Sequence, residues 1–143
     1  MRIYLAGPLF TDAERTWLSA LRRRIEDFEA GATVVWPWEL FSEGEAQSLG
    51  CGASGEIFRR CREALEGCDT VVALLDGPSV DDGTAWEMGY AYARGKRIIG
   101  IRTDIRRAGE CEGACANAMI EHACERVATS AEELLKVLFG KFR

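Results

Sequence analysis

The chain has 143 residues, enough for one domain over positions 1–143 that buries a core without disulfide staples. Its 18 Lys and Arg against 23 Asp and Glu leave a formal net charge of −5, which disfavours a nucleic-acid polymer as partner and favours a small or neutral ligand. No apolar run approaches the roughly 20 residues of a membrane span, and the opening MRIYLAGPLF is too short for a signal segment and has no cleavage pattern, so the expected setting is cytoplasmic, with no membrane partner.

Ile3 to Ala6 reads as a first strand, broken by Gly7-Pro8. Thr11 or Asp12 can cap a helix running from Ala13 to about Phe28, in which Trp17, Leu18, Leu21, Ile25 and Phe28 recur at helical spacing. Thr33 to Trp36 form a second strand ended by Pro37, and Trp36 and Trp38 flank that proline as either a pocket wall or a cover over the sheet edge. Residues 42–55 are polar and glycine-rich, the pattern of a mobile loop. A helix from Glu56 to Glu66 then stops at Gly67.

Residues 69–95, DTVVALLDGPSVDDGTAWEMGYAYARG, carry the densest signal. Thr70 to Leu75 are β-branched and aliphatic, as suits a strand buried on both faces of a parallel sheet. Asp81 or Asp82 can cap the next helix, which Arg94-Gly95 stops. Glu87 is the only charge between Asp82 and Arg94, and its apolar neighbours leave the helix no polar face. The helix is therefore expected to be covered nearly all round, and a carboxylate there is costly unless it is paired or used. Arg97 to Ile101 make a fourth strand, an irregular stretch turns helical near Ala116, Glu125 to Ala128 make a short fifth strand, and Ser130 caps a last helix bearing Leu134, Leu135, Leu138 and Phe142.

Strands alternating with helices predict an α/β doubly wound sheet of about five parallel strands with helices on both faces. In such sheets ligands bind at the carboxyl ends of the strands, here the loops GPLF, DGPSVDDG and RTDIR. Neither a G-x-G-x-x-G nor a Walker lysine follows any strand, so dinucleotide and NTP cofactors lose their main support and no cofactor is expected. The six cysteines include no C-x-x-C, and His122 is the only histidine, so no metal is expected either.

The segments IYLAGPLF, CDTVVALLDGPSVDDGTAWEMGYAYARGK and NAMIE, in this order and spacing, resemble the nucleoside 2-deoxyribosyltransferase family over nearly the whole chain. The resemblance implies a flavodoxin-like fold and transfer of a 2-deoxyribosyl group between nucleobases through a covalent glycosyl-enzyme. It also implies a homodimer or larger homo-oligomer in which a neighbouring subunit completes each site. Residue by residue, it makes Glu87 the nucleophile, Asp81 the acid for the leaving base and Tyr4 the tyrosine that holds the nucleophile. Gly7, Phe10, Gly83 and Met119 fall among the substrate-binding positions, and Asn117, heading NAM, reaches into the adjacent subunit's site and binds the sugar hydroxyls. One departure is plain: spacing puts Cys61 where the family usually carries an acid that helps bind the base.

The chemistry agrees with those roles. Breaking an N-glycosidic bond builds positive charge on the sugar and negative charge on the base, and two carboxylates can divide that work as nucleophile and acid. Asp81 as a plain N-cap, Asn117 as the cap of a short helix and Tyr4 as an ordinary strand residue remain open alternatives. Two other activities are weighed. A hydrolase of nucleoside 5′-monophosphates needs a phosphate cradle, which the apolar and then acidic GPLFTD loop disfavours and the arginines of RTDIRR favour. A non-catalytic nucleoside-binding module leaves Glu87 without a task.

Overall fold

The structure, a computed structural model, describes residues 1–42, 45 and 53–140. The expected mobile loop at 42–55 therefore lies largely outside the described residues, as do Cys51 and Phe142. Five strands form one all-parallel sheet: β1 (Arg2–Ala6), β2 (Thr33–Val35), β3 (Thr70–Leu74), β4 (Arg97–Ile101) and β5 (Arg126–Ala128), in the order β2-β1-β3-β4-β5. The register sets Tyr4 between Val35 and Val71. Strand order reverses between β1 and β3, and at that point the loops leaving the carboxyl ends of the two strands diverge to opposite faces and open a crevice.

The connections are helical, as parallel pairing requires. Helices α1 (Asp12–Phe28) and α5 (Ala131–Phe139) cover one face. Leu18, Leu21 and Ile25 of α1 and Leu134 and Leu138 of α5 pack there with Ile3, Leu5, Val72 and Ile99. Helices α2 (Ala53–Glu66), α3 (Asp82–Ala93) and the single turn α4 (Ala118–Glu121) cover the other, over Tyr4, Val71, Ala73, Leu75 and Ile98. Alternate residues of β1 thus serve opposite cores, and every residue of β3 is buried, as its continuous apolar run predicts. No helix among the described residues is long and apolar enough to cross a membrane.

Local chemistry sets the helix ends. Thr11 caps α1 in a capping box with Glu14, Asp81 caps α3 and Ser130 caps α5. Gly95 follows α3 at φ 66, a left-handed turn that glycine adopts without the Cβ clash of other residues. Trp36 is buried in the α1/α5 core, whereas Trp38 is half exposed under the Arg15 guanidinium, 4.8 Å from its ring centre. The pair covers the β2 edge and also lines an open hollow of about 660 Å³ with Arg15, Ser19 and Arg23, so neither of its two expected roles is excluded.

The cover expected around α3 is not there. Thr84, Met88 and Ala91 face the sheet and are buried, but Trp86 is 45% and Tyr92 64% exposed. A helix lying on a sheet is covered only toward the sheet and along its flanks, and the described residues leave the outer Trp86 and Tyr92 in part uncovered.

Candidate active site

Glu87 and Tyr4 meet at the reversal point of the sheet. Tyr4 comes from the middle of β1 and is fully buried. Glu87 comes from the second turn of α3, whose inner residues dock over β1, β3 and β4. The Tyr4 hydroxyl donates to Glu87 Oε1 at 2.5 Å, a distance typical of a charge-assisted O–H···O bond. Burial pushes the Glu87 carboxyl up to about 7, with the Tyr4 hydrogen bond opposing that rise and the nearby Asp81 charge adding to it. Burial, then the charge of Glu87, drive the Tyr4 phenol far above its ordinary range, so it stays protonated and remains a donor. The pair is a carboxylate balanced between its two forms near neutral pH, held by a donor that does not lose its proton.

Asp81 closes the amino end of the same helix. Its Oδ2 accepts from the Thr84 N–H and the Thr84 hydroxyl, both at 2.9 Å, which fixes the carboxyl over the first turn. Thr84 is 1% exposed, and its part in holding Asp81 was readable only as a D-x-x-T capping spacing. On α2 the half-buried Cys61 thiol is pushed up by burial and then by the Glu87 charge, with Tyr4 opposing that rise. Outside this cluster Phe58, Trp86 and Tyr90 form an aromatic row between α2 and α3, with ring centres 5.1 and 5.2 Å apart.

The other expected site residues fall in different places. Gly83 opens α3, where an added Cβ would sit 3.3 Å from Asp81 Oδ2. Gly7 follows β1 on the opposite face, where a Cβ would meet Leu18 at 3.0 Å and Leu74 at 3.3 Å, so a larger residue needs those side chains to give by a few tenths of an ångström. Phe10 is 76% exposed, and its N–H donates to Glu14. Asn117 is the N-cap of α4: its Oδ1 accepts from Met119 N at 3.0 Å, and its amide donates to Glu110. It lines a cleft of about 510 Å³ with Pro78, Ser79, Ala85 and Arg102. Met119, 80% exposed, borders an adjoining apolar groove of about 420 Å³ with Met88, Gly89 and Tyr92. Glu87 lines neither hollow. One chain thus brings Tyr4, Asp81 and Glu87 together, while Asn117 and Met119 line hollows that Glu87 does not line.

The carboxyl edge of the sheet is braced by its own acids, which sequence reading missed because the contacts cross between loops. Glu14 Oε2 accepts from the Phe10 and Thr11 N–H groups at 3.0 and 2.7 Å, and those bonds hold its carboxyl below the usual range. Asp76 accepts from Thr103 N and Asp104 N, and Asp104 accepts from Gly77 N. The arginines of RTDIRR are engaged as well. Arg102, 5% exposed, donates to the carbonyls of Leu75, Gly77 and Arg106; Arg106 pairs with Asp104; Arg107 donates to Gly113 O. Among the described residues no group of three or more His, Cys, Asp or Glu is placed to hold a metal ion.

Comparison with known proteins points the same way. A family model described as nucleoside 2-deoxyribosyltransferase matches residues 3–119. An uncharacterized protein of Schizosaccharomyces pombe is 33% identical over 109 residues, covering 73% of this chain but only 51% of its own length, so the chain spans about half of that relative. The structure of a 2-deoxyribosyltransferase from Bacillus psychrosaccharolyticus superimposes with a TM-score of 0.80 at 23% identity, over 98% of this chain and 94% of that one. A CMP N-glycosidase from Clostridium botulinum shares the fold more loosely, with a TM-score of 0.58 at 21% identity over 96% and 97% of the two chains.

Proposed function

Given that the chain belongs to the nucleoside 2-deoxyribosyltransferase family, we propose that it moves a 2-deoxyribosyl group from one nucleobase to another through an ester on Glu87. The observation that carries this reading is the 2.5 Å bond from Tyr4 to a largely buried Glu87 at the sheet's reversal point. In the first step a Glu87 oxygen attacks C1′, the C1′–N bond breaks with its electron pair leaving on the base, and Asp81 supplies the proton that neutralises the base. In the second, a nitrogen of the incoming base attacks C1′, the ester bond to Glu87 breaks, and the proton lost by the base returns to Asp81. Tyr4 holds the carboxylate in one orientation throughout and, by donating to it, favours the ionised form that attacks.

Glu87 at about 7 suits this cycle. Its charge is costly in the free site and is stabilised as positive charge builds on the sugar, so the electrostatic gain is concentrated in the transition state. The partners on this reading are a small-molecule nucleoside and nucleobase in cytoplasmic salvage, with a second copy of the chain supplying Asn117 and Met119 to the site.

The second reading, hydrolysis of nucleoside 5′-monophosphates, is weakened by the carboxyl edge. The N–H groups at the start of α1, which can cradle phosphate in α/β proteins, are held by Glu14, and the arginines that spoke for a phosphate are turned onto carbonyls and Asp104. A dianion would meet acids rather than donors there.

The test is base exchange. Incubated with deoxyinosine and adenine, the protein is expected to yield deoxyadenosine, and Glu87→Ala to lose at least about 10³-fold of that rate, since removing a nucleophile abolishes the covalent route. No exchange with deoxyinosine, but release of base and sugar phosphate from a nucleoside 5′-monophosphate, would favour the hydrolase, and unchanged activity in Glu87→Ala would remove the mechanism.

A further inference from the structure

Asp81 has two carboxyl oxygens, and Thr84 treats them unequally. Its backbone N–H and its hydroxyl both donate to Oδ2, each at 2.9 Å, so both lone pairs of that oxygen face a donor. A cap needs only the first of these bonds, since one side-chain oxygen on one N–H makes the N-cap. The hydroxyl is surplus to it. Thr84 is 1% exposed and lies with Met88 and Ala91 on the face of α3 that docks on the sheet, where a valine of the same shape would pack without a polar group to satisfy. We propose that Thr84 is a positioning residue: by filling Oδ2 with two donors it holds the Asp81 carboxyl in one orientation and commits the other oxygen, Oδ1, to carry the proton for the leaving base. The inference rests on the acid role given to Asp81 above and adds which of its oxygens does that work and what selects it.

A proton on Oδ2 would point at hydrogens already there, so protonation of that oxygen breaks at least one Thr84 bond, whereas protonation of Oδ1 leaves both in place. The carboxyl can then give up its proton in the first step and regain it in the second without turning. Gly83 leaves room for this arrangement, since a Cβ at that position would stand 3.3 Å from Oδ2. Without the Thr84 hydroxyl, Oδ2 keeps one bond and gains a free lone pair, and the proton is divided between the two oxygens. An acid whose proton points away for part of the time is slower only where the leaving base needs that proton.

The test on the full chain reads release of the first base, whether another base or water takes the sugar. Two substrates are compared: deoxyinosine, whose base leaves with a proton, and 6-chloropurine 2′-deoxyriboside, whose electron-poor base needs one less. Thr84→Val keeps the shape and the N–H bond and removes the hydroxyl, whereas Thr84→Ser keeps the hydroxyl and removes a buried methyl. Thr84→Val is expected to lower kcat for deoxyinosine about tenfold, the loss that fits one hydrogen bond to a charged group, with KM little changed. The chloropurine substrate should lose less than about threefold, and Thr84→Ser should stay within about twofold of wild type on both. A role in packing alone predicts the reverse, with Ser impaired, Val spared and the two substrates affected alike. In Asp81→Asn protein, whose amide oxygen still accepts from Thr84, adding Thr84→Val should cost less than about twofold more, because Thr84 acts only through the Asp81 proton. Equal losses for the two substrates, a Ser variant as slow as Val, or a further loss of about tenfold in the Asp81→Asn background would each overturn the proposal. If release splits as expected but no acceptor base ever takes the sugar, the positioning holds and the transferase reading falls. A wild type that releases neither base overturns both.

Discussion

At the scale of single residues, the site holds one group in a state the rest of the fold resists. Glu87 has its carboxyl raised from 4.5 to about 7, first by burial and then by Asp81. Below about 4.5 it is protonated whether the chain is folded or not, so it neither adds nor removes stability there. As pH rises toward 7 the unfolded chain releases this proton while the fold retains it, so stability falls through that window and the full penalty stands above it. Glu87→Gln keeps an oxygen that can accept from Tyr4 and removes the charge. It is expected to stabilise the protein by on the order of 2 kcal/mol at pH 8, seen as a rise in Tm of roughly 5 °C, with almost no gain at pH 4. Equal gains at the two pH values would mean that better packing, and not relief of a buried charge, is responsible. A carboxylate retained at such a cost is what a reactive group looks like in stability data.

At the scale of elements, α3 does three things: Thr84, Met88 and Ala91 dock it on the sheet, Asp81 caps its first turn, and Glu87 projects from its flank toward Tyr4. Asp81 can therefore be only a cap, or a cap that is also an acid, and the two are separable because Asn caps as well as Asp. Asp81→Asn should keep the Thr84 bonds and the fold. It should slow release of a poor leaving base by about 10²-fold or more while a substrate with an activated leaving group changes little. Its lost charge should also shift the acid limb of the pH profile downward, since that charge now raises Glu87. Equal loss with both substrates and an unmoved limb would leave Asp81 as a cap. Much of this arrangement was legible in the sequence. The apolar run of β3, the caps Thr11, Asp81 and Ser130, and the stop at Gly95 are local signals, and the residues that carry them lie within a few positions of one another. Glu14 on Phe10 followed the same local logic, but the brace of Asp76 on Thr103 and Asp104 did not, because it spans 27 and 28 positions between two loops. Nor did the exposure of Trp86 and Tyr92, since apolar character states what a side chain prefers and not what stands available to cover it.

At the scale of the whole molecule, that uncovered surface and the scattered site residues describe the same shortfall. Tyr92 and Met119 are largely exposed beside an apolar groove of about 420 Å³ between α3 and α4, and Glu87 lines neither that groove nor the Asn117 cleft. On the reading proposed above, a second copy seated on this surface would cover the apolar residues and bring its Asn117 to this chain's Glu87. In a two-fold dimer of that kind, a Glu87→Ala chain paired with an Asn117→Ala chain forms one doubly defective site and one intact site. Random exchange makes half of the dimers mixed, so two inactive preparations combined in equal amounts should regain about a quarter of the wild-type rate per site. Native mass spectrometry of the mixture, with one variant isotopically labelled, reports whether the subunits have exchanged before activity is read. Recovery near that fraction would assign Asn117 to the neighbour's site. Complete exchange with no recovery would place Asn117 in its own chain's site or in none, and its bonds to Glu110 and the Met119 N–H would then be its whole role as the cap of α4.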